Sequence, residues 1–181
     1  MNKAIFLDRD GTINEPVLDH LRHIHRPPWN VNEIKLIPNV IRCFKKLNRA
    51  GYMLFIVTNQ PDQQKGRVTI QELESVRNKI YDLLTDAGIV IKEDYYCYHH
   101  PTITPCECRK PSPYFILKAT KQYDIDLSKS WMIGDRETDI ECGQNAGTKT
   151  IRIDRLNDNT KALHTVKNIS EATEIILTSG D

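Results

Sequence analysis

Apolar residues fall along this chain in short unbroken runs that alternate with longer, spaced ones. Residues 4–7 (AIFL), 53–57 (MLFIV) and 130–133 (SWMI) are runs ended abruptly by polar residues, and each predicts a buried strand. Residues 94–98 and 150–153 predict two more. Between them the spacing is helical. Residues 40–48 predict a helix stopped by Gly51. Thr69 and Glu72 form a capping box opening an amphipathic helix through Leu73, Val76, Ile80, Leu83 and Leu84, stopped near Gly88. Ser112 and Pro113 suit an N-cap and first helical position for a helix running to about Tyr123. A helix over 137–145 ends at Gly147, and 170–177 predicts a C-terminal helix.

Strands separated by helices imply a parallel sheet with helices on both faces. Such sheets bind ligands at the carboxyl ends of their strands. The polar signatures of this chain lie there: Asp8 and Asp10 after the first strand, Thr58 and Asn59 after the second, and Asp135 after 130–133. Three strand ends are expected to converge on one crevice. Two stretches break the alternation, 14–38 (with HLRHIHRPPW at 20–29) and 99–110, and both are long enough to be functional loops over that crevice.

Composition narrows the picture. A length of 181 residues predicts a single domain over 1–181. A formal net charge of +1 counts against a nucleic-acid partner. The apolar run at the start meets Asp8, Arg9 and Asp10 too soon for a secretory signal. No stretch approaches the roughly 18–20 apolar residues of a membrane span. A cytoplasmic protein with no membrane partner is expected. Five cysteines, an odd number, three of them clustered beside histidines, read as metal binding rather than disulfides.

The strand-end residues suggest phosphoryl chemistry. Asp8 and Asp10, two apart on a loop, can point into one site. A carboxylate attacks a phosphoryl group only when charge repulsion is relieved, which magnesium does. The second carboxylate can then protonate the leaving alcohol. Gly11 permits a tight turn beside the phosphate. Thr58 and Asn59 offer a hydroxyl and an amide to phosphate oxygens, Lys110 a positive charge, and Asp135 a hard oxygen ligand for magnesium. Asp139 supports the site by orienting either the ion or Lys110.

Four segments in order, DRDGT (8–12), TNQ (58–60), RKP (109–111) and GDRETD (134–139), resemble the motifs of the haloacid-dehalogenase (HAD) phosphatase superfamily. The resemblance implies a Rossmann-like three-layer α/β sandwich with a central parallel sheet. No segment is long enough for a separate cap domain. It also implies that Asp8 is the nucleophile and Asp10 the general acid/base. Magnesium would be held by the Asp8 carboxylate, the Asp10 backbone carbonyl and Asp135. Thr58, Asn59, Arg109 and Lys110 would hold the phosphate.

Cys97, His99, Cys106 and Cys108 are two closely paired ligand groups in one loop, 97–108, and make a tetrahedral zinc set. Four protein ligands leave no open position, so this zinc is expected to be structural, steadying the loop that delivers Arg109 and Lys110. His100 competes with His99 for the fourth place, with His99 the better spaced. Cys43 and Cys142 lie on apolar helix faces and read as core. A zinc loop before RKP resembles two HAD families, the D-glycero-D-manno-heptose 1,7-bisphosphate 7-phosphatases and the histidinol-phosphate phosphatases. DRDGTIN, TNQ, CYHHP and CECRKP favour the heptose family, and with it a small phosphorylated sugar as substrate and a place in nucleotide-activated heptose biosynthesis. PDQQKGR (61–67) departs from the SGIARG of many heptose enzymes. The longer segment after DRDGTIN, with Glu15–Pro16 and RPP at 26–28, resembles a subgroup acting on the α-anomer.

Arg22, His23, His25 and Arg26, helped by Lys65 and Arg67, suggest either a subsite for a second phosphate or a solvated basic surface. Histidinol phosphate, a cationic amine, would want acidic residues instead. A polynucleotide 3′-phosphatase would want a basic groove with stacking aromatics. A catalytically inactive zinc-stabilised binding module would lack one of the carboxylates, and all are present. A monomer is expected.

Overall fold

The computed structural model describes residues 1–154 and 159–179. The predicted alternation is realised. Six parallel strands, β1 (Lys3–Leu7), β4 (Tyr52–Asn59), β5 (Ile91–Cys97), β6 (Trp131–Gly134), β7 (Lys149–Ile153) and β8 (His164–Val166), lie in the order β5-β4-β1-β6-β7-β8. A separate antiparallel hairpin, β2 (Val17–Asp19) and β3 (Ile24–Arg26), is inserted after β1. The helices are α1 (Val40–Arg49), α2 (Ile70–Asp86), α3 (Tyr114–Tyr123), α4 (Glu137–Ala146) and α5 (Ile169–Thr178).

Alternate residues of β1, β4 and β6 enter two cores. Ile5, Leu7, Leu54 and Ile56 pack with α1, α2 and α5 on one face. Ala4, Phe6, Phe55 and Val57 pack with α3 and α4 on the other. Both faces are covered, which is why the strands read as continuous apolar runs rather than alternating ones. On the second face Phe6, Phe55, Tyr95 and Phe115 form an aromatic ladder, with stacked neighbours at centroid separations of 5.2, 6.4 and 5.1 Å. Cys43 and Cys142 are buried in these two cores, as their helix positions indicated.

From β1 the chain builds outward through β4 to β5, then returns to the other side of β1 and continues through β6, β7 and β8. The order reverses between β1 and β6, and at such a switch point the crevice opens beyond the strand ends. Parallel pairing of Leu7 with Ile56 and with Ile133 brings Asp8, Thr58 and Asp135 to one edge of the sheet.

Some boundaries differ from expectation. β5 begins at Ile91, three residues earlier than predicted, because Leu54 pairs with Ile91 across a register irregularity. The N-cap of α3 is Pro113 rather than Ser112; Ser112 Oγ still accepts from the Tyr114 N–H, at 3.3 Å. β8 was not foreseen, being three residues long with a single buried side chain. The capping box of α2 forms as predicted, Thr69 and Glu72 bonding each other's backbone. Among the described residues the only excursion beyond the sandwich and its loops is the β2–β3 hairpin, and no separate cap domain is built. No helix of the described residues is long and apolar enough to cross a membrane.

Candidate active site

Asp8 follows β1, and its carboxylate is almost wholly buried. Lys110 Nζ donates to Asp8 Oδ1 at 2.7 Å and to the Val57 carbonyl at 2.6 Å, and sits 2.6 Å from Asp139 Oδ1. Asp139 is the N3 residue of α4, and its other oxygen accepts from the Arg136 N–H at 3.0 Å. It therefore caps its helix and pins Lys110, one of the two roles foreseen for it.

Asp135 follows β6. Asp8, Asp135 and Asp139 each offer an oxygen within 4.8 Å of the others. Asp135 Oδ1 is buried and finds no hydrogen-bond donor. Burial first, then the charges of Asp8 and Asp139, push its carboxyl up to about 7. Burial also dominates at Asp8, where Lys110 pulls the other way, and the carboxyl stands at about 6. Three crowded carboxylates with an orphaned oxygen form a donor set short of positive charge, and it fits a hard divalent cation such as magnesium. The close approach depends on Gly11. Its φ is +89°, and a Cβ there would lie 2.2 Å from Asp135 Oδ2.

Asp10 is held by residues that the motif letters contain but to which sequence reasoning gave no role. Arg9, with no solvent exposure, bonds both Asp10 oxygens through Nη2 at 3.0 Å. Asn14 Nδ2 donates to Oδ1 at 2.9 Å and Gln60 Nε2 to Oδ2 at 2.6 Å. Gln60 Nε2 also reaches Thr58 Oγ1 at 3.0 Å. The available signal was an arginine placed between two functional aspartates at a strand end, where burial makes ion pairing obligatory.

Thr58, Asn59, Arg109 and Lys110 all line the crevice, whose volume is about 770 Å³. The Asn59 side-chain amide, foreseen as a phosphate donor, also has a bracing role. Its Nδ2 donates to the Lys110 carbonyl and its Oδ1 accepts from the Lys110 N–H, both at 3.1 Å. Asn59 braces the loop that delivers Lys110. Arg136, also unassigned from sequence, joins the crevice wall, as do His25, Arg26, Lys65 and Arg67. Arg22 does not. It pairs with Asp19 at 3.3 Å on the outer side of the hairpin, because the hairpin turn carries it away from the strand ends.

Cys97, His99, Cys106 and Cys108 come together as foreseen. Sulfur–sulfur separations are 3.7 Å for Cys97–Cys106 and 3.6 Å for Cys106–Cys108, and His99 Nδ1 lies 3.8 and 3.5 Å from Cys97 and Cys108. A tetrahedron with metal–sulfur bonds of about 2.3 Å has edges of about 3.8 Å, so the set has the size zinc requires. His100 is turned aside, with Nδ1 2.9 Å from Thr102 Oγ1. Arg109 Nη1 donates to the His99 carbonyl at 3.2 Å, which ties the cysteine–histidine loop to the crevice.

An aspartate-lined crevice at the switch point of a parallel α/β sheet, with a buried lysine against the first aspartate, suits phosphoryl transfer, and comparison with known proteins identifies a phosphoric monoester hydrolase. The HAD-hydrolase-like family model matches residues 107–176. The chain is 34% identical over 154 residues to the D-glycero-beta-D-manno-heptose-1,7-bisphosphate 7-phosphatase of Haemophilus ducreyi, covering 82% of this chain and 80% of the relative. It is 35% identical over 156 residues to the enzyme of the same name from Escherichia coli K12, covering 82% and 78%. Among solved structures, a D,D-heptose 1,7-bisphosphate phosphatase from B. bronchiseptica, complexed with magnesium and phosphate, superimposes with a TM-score of 0.83 at 22% identity, over 98% and 99% of the two chains. The chain belongs to the HAD-like phosphatase family that these heptose-bisphosphate phosphatases represent.

Proposed function

We propose that the protein is a magnesium-dependent, single-domain phosphomonoesterase working through an aspartyl-phosphate on Asp8, and that its substrate is D-glycero-D-manno-heptose 1,7-bisphosphate, from which it removes the 7-phosphate. The observation that carries the chemistry is the orphaned, buried Asp135 oxygen beside Asp8, opposite the Asp8–Lys110–Asp139 ion chain.

Asp8, the Asp10 carbonyl and Asp135 would hold magnesium, which would supply the positive charge that lets two anions meet. Lys110, Thr58 and Arg109 orient the phosphate. An Asp8 oxygen attacks phosphorus, the bond to the sugar oxygen breaks, and Asp10 delivers a proton to that oxygen. Asp10 then takes a proton from the water that attacks the aspartyl-phosphate, and free phosphate leaves with Asp8 restored. The hydrogen bonds from Arg9, Asn14 and Gln60 fix where Asp10 stands at the crevice.

The substrate reading rests on the named relatives and on the charge of the crevice. Lys65, Arg67, Arg109 and Arg136 line it and outnumber the Asp62 and Glu137 carboxylates that line it beyond the aspartate cluster, an environment that favours a second anionic group over a cationic amine such as histidinol. The test is phosphate release, with magnesium, from the α- and β-anomers of the heptose bisphosphate, histidinol phosphate and a 3′-phosphorylated oligonucleotide. Preference for a heptose anomer is expected, and preference for histidinol phosphate would overturn the sugar assignment.

Zinc in the cysteine–histidine cluster is proposed as a structural element. Elemental analysis of freshly purified protein is expected to find about one zinc per chain. Stripping it is expected to lower the melting temperature by roughly 10 °C and weaken phosphate binding, because Arg109 and Lys110 lose their anchored loop. Protein that is zinc-free as purified, or unaffected by chelation, would refute this.

A further inference from the structure

The stretch that follows β3 and the 61–67 loop, part of which lines the crevice, touch each other. The contact is made by Trp29 and Asp62. Trp29 Nε1 donates to Asp62 Oδ2 at 2.9 Å. Asp62 is 3% exposed, and its other oxygen faces Lys65 Nζ at 3.6 Å and Arg67 Nη1 at 3.4 Å. The Arg67 N–H closes the loop on the Asp62 carbonyl at 3.0 Å.

The hairpin side is equally constrained. The Arg26 guanidinium lies 4.0 Å over the Trp29 ring and bonds Glu33 through two 2.8 Å contacts. Glu33 also accepts from the Trp29 N–H at 2.8 Å. Glu33, Arg26, Trp29 and Asp62 thus form one chain of contacts from the hairpin base to Lys65 and Arg67, and Arg26, Asp62, Lys65 and Arg67 all face the crevice. A buried carboxylate shared by an indole N–H and two cations sets where those cations stand.

We propose that the Trp29–Asp62 hydrogen bond is the specificity-determining clasp of this enzyme. It joins hairpin and 61–67 loop into one wall and positions Lys65 and Arg67 against the part of the substrate that does not react. Trp29 and Asp62 act through that wall and are positioning residues. This deepens the sugar-bisphosphate reading given above and rests on it for the identity of the ligand.

The test compares kcat/KM for a sugar bisphosphate, the sugar phosphorylated only at the reacting position, and p-nitrophenyl phosphate, in wild type, Trp29→Phe, Asp62→Ala and the double variant. Trp29→Phe removes the indole N–H but keeps a ring beneath Arg26 and leaves Asp62 its cations, so no lone charge is buried. Each single variant is expected to lose about tenfold of the preference for the favoured sugar phosphate over p-nitrophenyl phosphate, through KM, as loss of a hydrogen bond to a charged group implies. The double variant is expected to fall no further than Asp62→Ala, because both changes break one bond. Proportional loss on all three substrates, additive losses, or an unchanged preference in Trp29→Phe would overturn the clasp. If the wild type favours the monophosphate, the bisphosphate reading fails by itself. The clasp is then judged by the same ratio, monophosphate over p-nitrophenyl phosphate.

Discussion

Replacing Asp8 with asparagine is expected to leave a folded protein that releases essentially no phosphate. The side chain is isosteric, and Lys110 keeps Asp139 as its counter-ion at 2.6 Å. The amide cannot form the aspartyl-phosphate, so kcat is expected to fall by roughly 10⁴-fold or more, as when the nucleophile of a covalent mechanism is removed. Single-turnover phosphate release measures this, and near-normal turnover would sink the assignment of Asp8. The same variant carries a stability signature. Burial holds the Asp8 carboxyl at about 6 and Asp135 at about 7, both above the ordinary aspartate value. A raised carboxyl means that the folded state binds more protons than the unfolded state between about pH 4 and 7. Metal-free wild type is therefore expected to lose stability as pH rises through that window, and Asp8→Asn to lose less of it. At pH 8 without magnesium the variant should be the more stable protein, by on the order of 2 kcal/mol. Denaturant melts at pH 5 and 8, with and without magnesium, test the sign. Added magnesium should reverse the order by favouring the wild-type carboxylates.

Replacing Lys110 with methionine is expected to damage both stability and turnover. Burial alone would lower the lysine, but Asp139 and then Asp8 more than offset it and hold the ammonium well above its ordinary range. Its removal leaves two buried carboxylates without their shared partner, a loss of about 3–5 kcal/mol. It also removes the positive charge beside the phosphate, worth roughly 10²–10³ in kcat. Lys110→Arg is expected not to rescue. The site is closed around a compact ammonium that makes three contacts shorter than 2.8 Å, and a planar fork does not fit it. Urea titration and steady-state kinetics of both variants check this, and an arginine variant of wild-type activity would show that charge alone suffices.

Much of the molecule was legible in the chain. Residues 4–7 and 53–57 are unbroken apolar runs because β1 and β4 are covered on both faces, and the polar residues that end those runs mark the crevice. The cysteine–histidine loop was legible because its ligand spacing is local. Less legible was what local pattern does not encode. The β2–β3 hairpin together with its turn, residues 17–26, is exposed on most of its residues, so no periodicity announced it. Asn59 was read as a phosphate donor because a strand-end amide looks free in a sequence. Only the return of residue 110 to the end of β4, 51 positions later, gives that amide its partners.

The sequence by itself determined the parallel α/β class, the strand ends that carry the aspartates, and the Cys97–His99–Cys106–Cys108 cluster, since each follows from residues near one another in the chain or repeating at a fixed period. Only the tertiary structure decided which side chains share a charge. Lys110 lies between Asp8 and Asp139, Arg9, Asn14 and Gln60 converge on Asp10, and Trp29 reaches Asp62. Long-range proximity in a low-dielectric interior sets those partnerships, and neither propensity nor spacing along the chain carries that information.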